Sequence, residues 1–252
     1  MIQQLLIAEG DNVMSVDGAD FDGTNDYMLR GADLTSIANS KTGIVSVWVR
    51  LDGGDGTQLA IMDNAASLVT PRFYVVRNAS NKFEVVGRST IDSLALWRLT
   101  VNTYTASSTW RHVLCSWDLS TGSKHLYVND VSDDAVISTV NIDIDYGLGN
   151  FGVGATPYDN SQKFNGCIAE LYFAPGQYLD FSAVANRRKF ISSGGRPVHL
   201  GSDGSLPTGT APILYQRLSD GEAVANFATN RGTGGNLSIT GSLDTASTSP
   251  SD

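Results

Sequence analysis

The sequence predicts an all-β protein, an antiparallel sandwich of two sheets. Short runs of β-branched and aromatic residues follow one another through the first two thirds of the chain, and Gly, Asp, Asn, Ser and Thr separate them. Hydrophobic residues make up 41% of the 252 residues, which is enough for a large core and too much for a disordered chain. This length allows one large all-β domain or two ordinary ones.

Most of the predicted strands follow one another at short intervals. In order, they are residues 2–8, 43–51, 58–63, 72–78, 82–89, 94–101, 111–118, 124–130 and 166–174. In the run 111–118, Val113, Cys115 and Trp117 share one face by the two-residue period of a strand. The opposite face is also partly apolar, so this strand is predicted to lie centrally in a sheet. Residues 118–122 form the turn of a hairpin with the next strand.

The pattern changes after residue 175, which divides the chain into a sandwich (1–175) and an extension (176–252). The extension begins with a predicted helix that Ser182 caps and Gly194 ends. The basic residues 187–189 would lie in its second half, where the helix dipole favours them. Residues 196–252, rich in Gly, Pro, Ser and Thr, are predicted to be an extended arm or extra strands that pack on the sandwich or on a partner, with the last six residues frayed.

Charge and composition restrict the function. The net charge of −9 and the pI of about 4.7 disfavour nucleic-acid binding. No apolar run is long enough to span a bilayer, and the first residues lack the features of a signal peptide. Cys115 and Cys167 are interpreted as small buried hydrophobic residues, and a disulfide between them is the alternative.

Four motifs carry a family resemblance. They are FDGTNDYM (21–28), VSVWVR (45–50), WRHVLCSWDLSTGSKHLYVND (110–130) and FNGCIAELYFA (164–174). In this order they resemble the concanavalin A-like superfamily, most closely its laminin G-like and pentraxin-like modules. The resemblance covers roughly residues 15–175 and implies a jelly-roll sandwich.

A second resemblance concerns the extension. Residues 178–215 are similar to the tail that follows laminin G-like modules in structural proteins of tailed bacteriophages. That likeness implies a virion component, assembled in the host cytoplasm without a signal peptide. Its partners would be other virion proteins, such as the major capsid or tail protein, and further copies of itself.

Catalysis is not expected. Glycosidases of this superfamily place carboxylates on one strand in the pattern E-x-D-x-x-E, and glycan cleavage needs two carboxylates at a fixed separation. The Glu residues are Glu9, Glu84, Glu170 and Glu222, and none begins that pattern. Asp143 and Asp145 alternate and would share a strand face, but two Asp at that spacing are interpreted as turn residues, calcium-type oxygen ligands or a solvated face. The three His residues show no metal-binding spacing.

Calcium is an open question, since related modules bind it through Asp and Asn on loops. Asp63 and Asn64 match the Asp-Asn pair of pentraxin-type modules in kind, and Asp159 lies in a second such stretch. Their ordinary interpretation as turn residues is favoured, so no cofactor is predicted.

Glycan binding would need an exposed aromatic side chain beside polar groups. Trp97, Tyr104 and Tyr158 fall near predicted strand ends or loops and are the candidates, whereas Trp48, Trp110 and Trp117 are interpreted as packing residues.

The sequence thus predicts a non-enzymatic phage structural protein, a capsid decoration or fibre protein with a glycan-binding surface for host adhesion. The alternatives are a free lectin-like module, with or without calcium, and a glycan hydrolase.

Overall fold

The computed structural model describes residues 13–65, 67 and 73–252, so the strand predicted at 2–8 lies outside the described residues. The strands are β1 (Val16–Asp17), β2 (Ala19–Asp22), β3 (Tyr27–Leu29), β4 (Thr42–Leu51), β5 (Leu59–Asp63), β6 (Phe73–Arg77), β7 (Phe83–Arg88), β8 (Leu94–Leu99), β9 (Ser107–Asp118), β10 (Ser123–Val128), β11 (Val131–Ser132), β12 (Ala135–Thr139), β13 (Gly152–Val153), β14 (Asn165–Pro175), β15 (Leu214–Gln216), β16 (Leu218–Ser219), β17 (Ser238–Thr240) and β18 (Asp244–Thr245). The helical segments are α1 (Val184–Arg187) and a 3₁₀ helix at Val224–Ala228.

Sixteen of the eighteen described strands form two antiparallel sheets of eight strands each, and β1 and β16 pair with each other in a separate two-stranded sheet. Sheet I has the order β11-β10-β9-β4-β14-β2-β18, and β15 also pairs with β14. Sheet II has the order β12-β8-β7-β6-β5-β13-β3-β17. The all-β, two-sheet architecture predicted from the strand spacing is therefore confirmed.

Aromatic side chains fill the space between the sheets. Phe73 of β6 stacks on Phe173 of β14 with ring centroids 4.9 Å apart, and it also contacts Trp117 at 5.5 Å and Tyr146 at 5.2 Å. All four rings are buried. Burial of each large apolar side chain contributes about 1.5–3 kcal/mol to the stability of the folded state. This cluster therefore stabilises the packing of the two sheets against each other.

One part of the outer face of sheet I is also apolar and is covered by the extension. Ile44, Leu114 and Tyr172 point outward from the three central strands β4, β9 and β14. They pack against a set of apolar side chains from the extension, namely Phe181, Phe190, Val198, Leu200 and Tyr215. This contact explains why the strand at 111–118 is hydrophobic on both faces.

The helix predicted from Ser182 to Gly194 is wrong in length and in its cap. Helix α1 is a single turn, and its N-cap residue Ala183 makes no side-chain capping bond. The Ser182 hydroxyl instead donates to Asp180 at 2.6 Å. Arg187 is buried, where its side chain donates to Asp130 at 2.5 Å and to the Phe181 carbonyl at 2.6 Å. These tertiary bonds replace the helical geometry that local propensity favours.

The two cysteines and the last residues have definite environments. Cys115 and Cys167 are both free and buried, as expected of small hydrophobic residues, and they do not form a bridge. The prediction that the last six residues are frayed is wrong, because the hydroxyl of Ser251 donates to the Met14 carbonyl at 2.9 Å. No helix in the described part of the chain has the length and apolar character of a membrane span.

Candidate functional site

Two tryptophans lie on the outer face of sheet I, near the point where the chain ends. Trp48 of β4 pairs in register with His112 of β9 and stacks on its imidazole at 4.8 Å. Burial lowers the pKa of His112 to about 3, so the ring stays neutral. Trp110 lies two residues before His112, and the two-residue period of a strand therefore places its indole on the same face.

Polar and aromatic contacts fix the Trp110 indole. Its Nε1 donates to the Thr248 hydroxyl at 3.1 Å, and the Arg50 guanidinium lies 6.0 Å from the ring centroid. A Cβ at Gly18 would come within 2.6 Å of the ring, so glycine at that position allows the indole to lie flat. One part of the ring is covered, while the residue as a whole is only half-buried.

The C-terminal tail, defined here as residues 246–252, runs beside this indole. Arg50 donates to the hydroxyls of Ser247 and Thr248 at 3.0 and 2.9 Å. The backbone N–H of Val16 donates to Ser251 at 3.0 Å, and Ser249 donates to the Val16 carbonyl. Side-chain hydroxyls of the tail thus replace the hydrogen bonds of a regular edge strand.

Between the tail and β9 lies a groove of about 380 Å³, which we call the indole groove. Its lining residues are Trp48, Ser108, Thr109, Trp110, Gly195, Thr248, Ser249, Pro250 and Asp252. The groove combines indole surface with hydroxyl groups and one carboxylate, which is the composition of a site that holds a partly apolar, hydrogen-bonding ligand.

A second groove, of about 420 Å³, lies at the rim of the sandwich, and we call it the rim groove. Its lining residues are Gly23, Gly54, Thr57, Gln58, Leu59, Gln162, Lys163 and Asn165. The Lys163 ammonium lies 4.2 Å from the centroid of the Tyr27 ring, and Gln58 donates to Gln162 at 2.9 Å. Gln162 itself has a left-handed backbone with φ of 54°, a conformation that concentrates at functional sites.

Acidic side chains cluster between the two grooves. Ligand atoms of Asp20, Asp52 and Cys167 lie within 4.8 Å of one another, but this group does not fit a metal. Arg50 occupies both oxygens of Asp52, at 2.8 and 2.7 Å. Burial raises the pKa of the Cys167 thiol, which therefore stays protonated and is a poor ligand. Burial, reinforced by the charge of Asp52, also raises the pKa of Asp20.

The structure does not bring the three predicted calcium ligands together. Asp63 is buried, and its carboxylate accepts from the Ala65 N–H at 2.9 Å and from Thr156 at 3.2 Å. Asn64 donates to the Tyr146 carbonyl at 2.8 Å and also accepts from a backbone N–H. Asp159 is exposed in a loop, where it accepts from the Ser161 N–H at 2.9 Å. These bonds are those of turn residues, and calcium binding stays a prediction.

The three predicted glycan-binding aromatics also lie apart. Trp97 is half-buried on β8 of sheet II, opposite Val86. Tyr104 packs on Phe83 at 4.9 Å and donates its hydroxyl to Asp133, and burial raises its pKa. Tyr158 is 48% exposed, in the loop that leads to the rim groove.

The carboxylates considered for catalysis have structural partners. Glu170 is buried and accepts from the Tyr215 hydroxyl at 2.7 Å, and burial raises its pKa to about 7. Glu84 accepts from Asn78 at 2.8 Å, and Glu222 pairs with Arg231 at 2.7 Å. The last two candidates, Asp143 and Asp145, lie in a loop rather than on one strand, and Glu9 is outside the described residues.

Sequence reasoning missed Trp110 and the tail. The predicted strand began at residue 111, whereas β9 begins at Ser107. The added segment is polar up to Trp110 and mostly exposed. An aromatic residue after three hydroxyl residues at a strand start was the available signal, but nothing in the sequence places the tail beside it.

Comparisons with known proteins agree with this fold. The family model of the concanavalin A-like lectin/glucanases superfamily matches residues 22–175, more than half of the chain. No curated protein matches the chain significantly.

Among solved structures, a candidate carbohydrate-binding protein from Bacteroides ovatus is similar, with a TM-score of 0.62, 13% identity and coverage of 94% of this chain and 62% of that one. The chain thus spans less than two thirds of that relative. The NanB sialidase from Streptococcus pneumoniae gives a TM-score of 0.51 at 12% identity, covering 67% of this chain and 27% of the sialidase. An SAP-like pentraxin from Limulus polyphemus gives 0.49 at 13% identity, covering 72% and 84%. Likeness at these identities shows the fold alone.

Proposed function

Because the chain belongs to the concanavalin A-like lectin/glucanases superfamily, we propose that it is a non-enzymatic carbohydrate-binding protein whose site is the indole groove. The observation that carries the proposal is the half-buried Trp110 indole held beside hydroxyl groups and a carboxylate in one groove.

The chemistry of the groove matches that of a sugar. A sugar ring has an apolar face of C–H groups, which packs on an indole, and an edge of hydroxyl groups, which needs donors and acceptors. Ser108 and Thr109 supply such groups from β9, and Ser249 and Asp252 supply them from the tail. Because Trp48 and the tail already hold the indole in place, a sugar would bind with little ordering cost.

The carboxylates support a binding role rather than a hydrolytic one. Glycoside hydrolysis needs two carboxyl groups about 5–10 Å apart across the bond that breaks. Among the residues that line the indole groove, Asp252 alone carries a carboxyl side chain. Glu170 is buried against Tyr215 and does not reach this groove.

The test is a glycan array on the purified protein, followed by calorimetric titration of the glycans that bind. We expect Trp110→Ala to weaken binding at least tenfold, and Trp97→Ala, a matched change on the other sheet, to leave it unchanged. Ser108→Tyr, which fills the groove without removing the indole, should also weaken binding. Equal melting temperatures would establish that the variants fold.

Opposite results would contradict the proposal. Loss of binding in Trp97→Ala with full binding in Trp110→Ala would move the site to sheet II. A wild-type protein that binds no glycan on the array would contradict carbohydrate binding itself.

We also propose, as the setting of this activity, that the protein is a virion component of a tailed bacteriophage. The support is the resemblance of residues 178–215 to the tails of phage laminin G-like proteins, and this segment supplies Phe181 and Phe190 to the cover of sheet I. The expected partners are a capsid or tail protein and further copies of the chain.

Co-sedimentation with particles from the native source, with copy number from quantitative mass spectrometry, tests the virion setting. A high copy number would indicate capsid decoration, and a low one a tail or fibre. Absence from the particles would contradict the virion setting and leave the free lectin-like alternative.

A further inference from the structure

The indole groove lies on the outer face of sheet I, and the rim groove lies at the end of the same strands, where Leu59 of sheet II also lines it. In β14, Asn165, Cys167 and Ala169 point to the outer face of sheet I, because alternate residues share a face. Asn165 lines the rim groove, and Ala169 packs with Trp48 and Trp110 beside the indole groove. Strand β4 and the turn after it also connect the two grooves: Trp48 of β4 lines the indole groove, and Gly54 of the turn lines the rim groove.

The separation suits an extended ligand. At the rise of a β-strand, the four residue-to-residue steps from Asn165 to Ala169 span about 13 Å. This distance corresponds to roughly two or three linked sugar rings built from bonds of about 1.5 Å. A single sugar in the indole groove therefore cannot reach the rim groove, whereas a longer oligosaccharide can.

The surface between the grooves is polar. It carries Arg50 with Asp52, and Asp20 beside them. The Asp52 side chain is 32% exposed and Asp20 is also partly exposed, so the Asp20 carboxyl and the lone pairs that Arg50 leaves free on Asp52 can accept hydrogen bonds from a ligand. Carboxylates accept hydrogen bonds from neighbouring hydroxyl groups, and those bonds are stronger than the bonds between neutral groups.

From this arrangement we propose that the indole groove and the rim groove are two ends of one binding track, and that the protein binds the interior of an extended neutral oligosaccharide rather than a single terminal sugar. This inference rests on the proposed carbohydrate-binding function. The indole groove supplies the aromatic contact. Asp20 and Asp52 supply acceptors for sugar hydroxyl groups, and the rim groove supplies the amides of Gln58 and Asn165.

The test compares ligand lengths. The probes are the disaccharide and the hexasaccharide of the cello-, xylo- and N-acetylchito-oligosaccharide series, titrated by calorimetry. The variant is Thr57→Trp, which fills the rim groove from an exposed turn. The matched control is Thr90→Trp, an exposed residue in another groove, of about 440 Å³, at the turn between β7 and β8.

We expect the hexasaccharide of at least one series to bind the wild-type protein at least tenfold more tightly than its disaccharide. Thr57→Trp should remove this difference and leave disaccharide binding unchanged, and Thr90→Trp should change neither. Equal affinity for the two lengths, or a hexasaccharide affinity that Thr57→Trp leaves intact, would overturn the track while the carbohydrate-binding function stands. If none of the probes and no glycan on the array binds, the function and the track both fail.

Discussion

Glu170 predicts an unusual dependence of stability on pH. The residue is fully buried on β14 at a bulge where φ is 47°, and one carboxylate oxygen accepts from the Tyr215 hydroxyl at 2.7 Å. The nearest cation, Arg217, lies 3.7 Å from the other oxygen. Burial outweighs these favourable contacts and raises the pKa from 4.5 to about 7.

The magnitude follows from the two pKa values. Because the folded protein holds its proton up to a higher pH than the unfolded chain does, the stability from protonated Glu170 is complete below pH 4.5 and is lost as the pH rises to about 7. At about 1.4 kcal/mol per pKa unit, the loss amounts to about 3 kcal/mol. Glu170→Gln has the same shape and no titrating group, so we expect it to remove this loss.

Urea unfolding of both proteins at pH 4.5 and pH 8 measures the effect. The quantity compared is the free energy of unfolding of Glu170→Gln minus that of the wild type. This difference should be about 3 kcal/mol larger at pH 8 than at pH 4.5. Every other titrating group contributes equally to both proteins and cancels in this comparison. An identical pH dependence in the two proteins would refute the argument.

Glu222→Gln is the matched control. Burial works against ionisation there too, but the Ser219 N–H and the Arg231 guanidinium hold the pKa of Glu222 below its usual value. Its charged form therefore stabilises the fold, and that stability is lost as the pH falls through the lowered pKa. The free energy of unfolding of Glu222→Gln relative to that of the wild type should therefore fall as the pH rises, the opposite sign to Glu170→Gln.

Three further predictions concern single features. Gly166→Ala should lower the free energy of unfolding by roughly 3 kcal/mol or more, measured in urea, because φ there is 143° and a Cβ would overlap the Arg50 carbonyl. Cys115 and Cys167 should react with a thiol reagent only in denaturant, because burial raises the pKa of both thiols; rapid labelling of the native protein would contradict this. Millimolar calcium or EDTA should leave the melting temperature unchanged, because the predicted ligands are bonded within turns, and a rise with calcium would revive the metal site.

The strands of the sandwich could be predicted because their signal is local. All eight predicted strands between residues 43 and 174 correspond to observed ones, and the hairpin of β9 and β10 lies where its turn residues indicated. The strands at both ends and the strands β11 to β13 were missed, since most of them have only two or three residues and carry no periodicity. The helix at 182–194 failed for the opposite reason, because local propensity was present but the buried bonds of Arg187 decided the backbone.

The candidate site depends on contacts that no local pattern contains. Trp97 and Trp110 are both strand tryptophans, and the three hydroxyl residues before Trp110 are the one local difference, which does not by itself separate a binding residue from a packing residue. What distinguishes Trp110 is Thr248, 138 positions further along, which accepts from its indole and belongs to the tail that forms the opposite wall of the groove. Arg50 bonds the same threonine and, through Asp52, reaches toward the rim groove. The tail therefore positions two parts of the proposed track. By accepting hydrogen bonds from both Trp110 and Arg50, it fixes the aromatic wall of the indole groove and the polar surface beside it.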